Sequence, residues 1–188
     1  MAQHTKKDQL LSRLYQHFAE HGFKQADNIS TLTKSVGISR SLFYFYFKDT
    51  EDLLTQLSAL HRARVQQRYE RVLDEERSFI DYLHHTVYHK DIYFMTVQSA
   101  RYLQEHPRYA EMLNVVVESV DEYNFKQFIK HYQLEELSER AVRMIYDSFR
   151  NHWFANSVYH EWTIERVDEL IAQIDEMVTL LRAERSAQ

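Results

Sequence analysis

The chain has 188 residues, enough for one small and one medium domain or for a single all-helical unit. It holds only 2 Gly and 1 Pro, which excludes a turn-rich strand fold, and no Cys, which excludes a disulfide scaffold and a thiolate metal site. The net charge of −5 argues against a chain that coats nucleic acid indiscriminately, but residues 1–48 carry seven Lys and Arg against three acids, a net +4, and residues 49–188 carry 16 against 25, a net −9. Leu, Glu, Gln, Arg and Ala supply helix propensity, so the expected fold class is all-α. The 13 Tyr and 11 Phe call for a large core, with room for a cavity lined by amphipathic rings. The opening MAQHTKKDQLL has no apolar run of signal-peptide length, and no stretch approaches the ~20 apolar residues of a membrane span. We therefore expect a soluble, cytoplasmic protein with no membrane partner.

A first helix is expected over 5–21, with Leu10, Leu11, Leu14, Tyr15 and Phe18 on its inner face and Gly22 ending it. Lys6 and Lys7 at its start suit either solvent or a neighbouring phosphate. In ISTLTKSVGISRSLFYFYF (29–47), Ile29, Leu32, Thr33 and Val36 follow i, i+3, i+4, i+7 spacing and predict a short second helix. Asn28 can cap its start, and Gly37 sits where a left-handed residue must stop it. Ser39 can then cap a third helix, in which Phe43 and Phe47 share one face with Leu42 and Tyr46 beside them. Arg40, Ser41, Tyr44 and Phe45 are left on the other side. This is a helix-turn-helix, and a second helix bearing a guanidinium, hydroxyls and aromatic tips suits a DNA major groove.

At these residues the sequence resembles the TetR (tetracycline-repressor-like) family of transcriptional regulators. The likeness covers about residues 10–54, through LxxLYQHFAEHGF, LTKSVGIS, LFYFYF and TEDLL. It implies a three-helix DNA-binding domain over 1–54 and a helical ligand-binding and dimerisation domain over 55–188. It further implies a homodimer that reads a palindromic operator in double-stranded DNA, represses by default and is released by a small-molecule ligand. By the same likeness Ser39, Arg40, Ser41, Leu42 and Phe45 match positions that face base edges, while Tyr44, Tyr46 and Lys48 match positions at or near phosphate. Thr33 stands where the family usually has alanine and Tyr46 where histidine is common. Thr50 replaces a usual lysine, which removes one phosphate-contacting charge.

Asp49 is expected to cap a long helix with Glu51 and Asp52 in its first turn, carried by Leu53, Leu57, Leu60, Arg64 and Val65 to about Leu73. Such a helix of about 25 residues spans roughly 37 Å. Further helices are expected at 78–90, 91–105, 108–131, 138–160 and 163–183, with His106-Pro107 breaking one from the next. In 108–131, Tyr109, Met112, Leu113, Val116, Val117, Val120, Tyr123 and Phe128 trace a buried stripe. In the last helix Val167, Leu170, Ile174, Met177 and Leu181 are widened by Ile164, Ile171 and Val178. With the comparable face of Val142, Ile145, Phe149 and Trp153 before them, one arc can pack on the body while the other meets a second copy, which predicts a four-helix dimer bundle; helices that simply cover their own core are the alternative.

Tyr82, Tyr93, Phe94 and Tyr123, among further tyrosines at 88 and 102, are candidates to line a small-molecule pocket, and filled core is the equal alternative. His85 and His89 fall at i and i+4 beside His84, but no acid or thiol pattern completes a ligand set, so no metal site is assigned. There is no Gly-rich phosphate loop, nucleophile elbow or HExxH, so neither catalysis nor a cofactor is expected. Two other readings keep the fold: a head that docks a protein, and a helical carrier that does not bind DNA.

Overall fold

The structure, a computed structural model, describes residues 6–74, 78–106 and 110–186, with side chains throughout those spans except at 69–70, 72–74, 103–104, 110–120 and 181–186. The described residues are all helical, without a strand. In order they form α1 (Lys6–His21), α2 (Ile29–Val36), α3 (Arg40–Tyr46), α4 (Thr50–Asp74), α5 (Phe79–Tyr88), α6 (Lys90–Glu105), α7 (Ala110–Tyr132), α8 (Glu139–Ala155), a 3-10 turn (Tyr159–Glu161) and α9 (Ile164–Ser186). No described helix is long and apolar enough to cross a membrane.

The chain divides into two compact units, Met1–Glu70 with Asp91–Glu118, and Arg71–Lys90 with Ser119–Gln188. Packing thus groups α6 with α1, α2, α3 and α4 as far as Glu70, whereas the boundary expected from the sequence lies at 54/55.

In the first unit Leu10, Leu14, Tyr15 and Phe18 of α1 are buried, as their spacing predicts, together with Leu32, Phe43, Phe47, Leu53, Leu54 and Leu57. Leu11 is half-buried. Gly22 ends α1 at φ 76°, its N–H bonded to Phe18 O at 2.9 Å. A Cβ there would come within 2.9 Å of Gln98 Oε1 on α6, so glycine meets both the backbone conformation and the close approach. Phe23 stacks on Phe18 at 4.8 Å and tilts against Tyr102 of α6 at 5.1 Å.

In the second unit α9 packs on α5 and α8. Its core is aromatic: Phe79 meets Phe128 and Phe149 edge-on at 5.5 and 5.6 Å, and Phe128 stacks on Phe149 at 5.5 Å. The helix expected over 138–160 stops at Ala155. Asn156 Nδ2 donates to His152 O at 2.8 Å and Ser157 Oγ to Trp153 O at 2.7 Å, which occupies carbonyls the helix leaves open and lets the chain turn. Trp162 then folds inward, buried, with Nε1 donating to Thr86 Oγ1 at 3.1 Å. The stripe expected at Tyr109, Met112, Leu113, Val116, Val117 and Val120 lies outside the described side chains, as do Leu73, Pro107 and Leu181. Of that helix Phe128 is buried and Tyr123 half-buried.

Candidate nucleic-acid interface

The α2–turn–α3 hairpin is built by local chemistry at three positions. Asn28 Oδ1 accepts the Thr31 N–H at 3.1 Å and caps α2. Gly37 adopts the left-handed conformation at φ 69°, and the next amide, Ile38 N–H, reaches back to Thr33 O at 2.9 Å, a glycine C-cap that turns the chain. Ser39 Oγ accepts the Leu42 N–H at 3.0 Å and starts α3. Arg13 of α1 adds a tie, its Nη2 donating to Val36 O at 2.7 Å.

Anchoring from below sets which face of α3 looks outward. Phe43 and Phe47 are buried and their rings tilt together at 5.3 Å. Opposite them Leu42 is 40%, Tyr44 49% and Phe45 76% exposed, and Ser39, Arg40 and Ser41 lie in solvent beside them. Tyr46 is half-buried with its ring edge-on to Phe45 at 4.8 Å, and Lys48 is exposed just beyond. The structure therefore brings all eight sequence-designated residues onto one end of one unit.

The two departures from the family pattern that fall in this framework have local partners. Buried Thr33 donates its hydroxyl to Ser30 O at 3.2 Å, so its polar group is not stranded. Thr50 Oγ1 donates to Ala26 O at 3.1 Å and fastens the start of α4 to the loop before α2. Asp49 caps α4 as expected, accepting Asp52 N–H at 2.8 Å, while Asp52 accepts the Lys48 N–H at 2.9 Å. Hydrogen bonds from Gln56 and then from that amide hold the Asp52 carboxyl below its ordinary range.

No family model and no curated protein matches the sequence. Among solved structures, a TetR-family transcriptional regulator from Bordetella parapertussis 12822 superposes with a TM-score of 0.63 at 15% identity, covering 92% of this chain and 93% of that one. The fold is the TetR fold.

At that identity the TetR likeness is one of architecture: an N-terminal helix-turn-helix followed by a C-terminal helical domain. It extends the resemblance from residues 10–54, where motifs carry it, to nearly the whole chain, where sequence does not.

Within this TetR frame the structure also holds groups that local spacing could not show. In the first unit His61 is buried, with Nδ1 at 2.8 Å from Tyr15 Oη and Nε2 at 3.2 Å from Thr96 Oγ1. Burial first, then the nearby Arg64 charge, lowers the His61 pKa to about 4, so the ring is neutral. Burial also raises Tyr15, so its O–H donates to Nδ1 and Nε2–H is left to donate to Thr96. The Thr96 hydroxyl in turn donates to Ile92 O at 3.1 Å. The chain of bonds ties α1, α4 and α6. On α1 and α2, His17 Nε2 lies 3.1 Å from Gln25 Oε1, and Ser35 Oγ lies 2.7 Å from the same oxygen.

The four ligand candidates fall in different units. Tyr93 and Phe94 on α6 are buried in the first, and Tyr82 and Tyr123 are half-buried in the second. Nearby in the second unit, Asp121 accepts Tyr146 O–H at 3.0 Å and pairs with Arg150 at 3.0 Å. Burial and then the Asp121 charge push the Tyr146 phenol upward, so it stays protonated and donates. His84 Nε2 lies 2.6 Å from Asp168 Oδ1, and His85 stacks on His89 at 4.9 Å. Among the described residues no three His, Asp or Glu gather to hold a metal.

Part of the apolar arc on α8 and α9 is taken up within the chain itself. Ile174 is only 2% exposed in the single chain, because α9 turns Val167, Leu170, Ile174 and Val178 onto α5 and α8, so it fills the core of its own unit. Val142, Phe149 and Trp153 of α8 face inward likewise. What remains outside is a groove along α8 and α9 lined by Met144, Ile145, Met177 and Leu180 with Ser148, Gln173 and Glu176 among them. Met144 and Leu180 are 67% and 60% exposed.

Proposed function

We propose that the chain is a transcriptional regulator of the TetR type that binds a near-palindromic operator in double-stranded DNA as a homodimer, represses by default and is released by a small molecule. The observation that carries the reading is the split of α3: Phe43 and Phe47 fasten it, and Arg40, Ser41, Leu42, Tyr44 and Phe45 project from a +4 segment on a −9 chain remainder. Residues 1–54 are the reading head and 55–188 the ligand-binding and dimerisation part. Such a protein works in the cytoplasm, without catalysis or a cofactor.

Dimerisation is supported by the exposed Met144 and Leu180 in the groove on α8 and α9, since a two-fold axis would set the same patch on itself. Two heads are needed because a single helix-turn-helix reads few bases, and half-sites lie about 34–36 Å apart. Ligand control rests on the fold likeness together with Tyr82, Tyr93, Phe94 and Tyr123 as contact candidates.

A second reading is favoured by Phe45: a ring this exposed is also what a protein-docking helix presents. Selection from random duplexes separates the two. The full-length protein should enrich a palindrome with half-sites one helical turn apart, and a head that docks protein enriches nothing.

A further inference from the structure

Resting on the DNA-binding reading, we infer that α3 recognises its half-site chiefly by thymine methyl groups, with Phe45 as the reader. The exposed side of α3 offers one guanidinium, Arg40, the hydroxyls of Ser41 and Tyr44, and the apolar surfaces of Leu42, the Tyr44 ring and Phe45. Ser39 already spends its oxygen on the Leu42 amide. The helix RSLFYFY has no Asn or Gln to pair with adenine in bidentate fashion and no carboxylate to accept from the cytosine amine. Hydrogen-bond readout from this helix is therefore sparse.

Phe45 has no polar atom, so it cannot join that readout at all. The apolar group that base pairs present in the major groove is the C5 methyl of thymine, which is distinctive of A·T pairs. At 76% exposure the ring contributes little to the core, yet it is not adrift, because Tyr46 meets it edge-on at 4.8 Å and 89°. It is a large apolar surface held ready and left uncovered. The +4 charge of residues 1–48 favours a polyanionic occupant over a basic one, and the position of the ring on the second helix of a helix-turn-helix commits the surface to duplex DNA.

The test uses the full chain and the duplex it selects from a random pool, copied once with thymine and once with deoxyuridine, which pairs alike but lacks the methyl. Wild-type protein should bind the uracil copy about fourfold more weakly for one contacted methyl and about fifteenfold for the symmetric pair, the ratio expected for withdrawing methyl-sized groups from water. Phe45→Ala, a change at an exposed position, should bind both copies alike and near the weaker value. Equal wild-type affinity for the two copies overturns the inference and leaves the regulator reading standing. A uracil penalty that persists in Phe45→Ala belongs to duplex shape and overturns it too. If no duplex is selected, the DNA-binding reading falls and this one with it.

Discussion

His61 is the residue whose burial has the most direct consequence in solution. The ring is held neutral in the fold, with a pKa of about 4 against an ordinary 6.5, so between those values the unfolded chain takes up a proton that the folded chain refuses. Its contribution to stability is complete above pH 6.5 and is lost as the pH falls toward 4. The two pKa values put the loss at about 2 kcal/mol by pH 5. Urea unfolding at pH 7.5 and pH 5 should show that drop in wild type, and His61→Gln should be weaker by about 1–2 kcal/mol at the higher pH with a flatter slope between the two. Gln133 gives a second residue-scale prediction. It ends α7 at φ 50°, with Leu134 N–H bonded back to Ile129 O at 3.1 Å, a helix C-cap that glycine fills without strain. Gln133→Gly should raise stability by about 0.5–1 kcal/mol, read as a higher thermal midpoint. The αL position was not legible in IKHYQLEE (129–136), because Gln carries no turn signature.

At the scale of elements, the helix-turn-helix was legible because each of its decisions is local. Asn28, Gly37 and Ser39 act on amides within five residues, and the period of Ile29 to Val36 needs no distant partner. Gly37→Ala should therefore cost about 1 kcal/mol or more and displace α3, seen as lost DNA binding at a modest fall in thermal midpoint. The outward face of α9 was less legible. An apolar arc spread over Ile164, Val167, Leu170, Ile171, Ile174, Met177 and Val178 is wide enough for two contacts, and period alone does not say which half meets its own unit. The end of α8 was missed for a related reason: Asn156 and Ser157 stop it by side-chain bonds to their own preceding turn, an arrangement ordinary polar residues adopt without a Gly or Pro to mark it.

At the scale of the whole molecule, the grouping of α6 with α1 to α4 was out of reach of local pattern. It depends on pairs such as Phe23 with Tyr102, Gly22 with Gln98 and His61 with Thr96, which lie 35 residues or more apart in the chain. The dimer proposal is tested at this scale by two substitutions with opposite outcomes. Leu180→Glu alters an exposed groove residue and should leave a folded monomer in sedimentation, whereas Ile174→Glu buries an unpaired charge and should unfold the second unit, a loss of about 3 kcal/mol or more. A Leu180→Glu variant that still sediments as a dimer moves the interface elsewhere. Ligand control requires reciprocity: a true inducer should bind the operator complex more weakly than the free protein, by about 1–3 kcal/mol, and equal affinity in both states removes the switch.

The claim on which the rest depends is that the outward face of α3 reads duplex DNA, and one measurement addresses it most directly: binding of wild type and Arg40→Ala to the selected operator and to random duplex over a range of salt. If α3 reads duplex DNA, log affinity falls linearly with log salt for both duplexes, and Arg40→Ala costs about 1–3 kcal/mol on the operator alone. Salt-independent binding, or an Arg40→Ala variant that holds the operator like wild type, would contradict it.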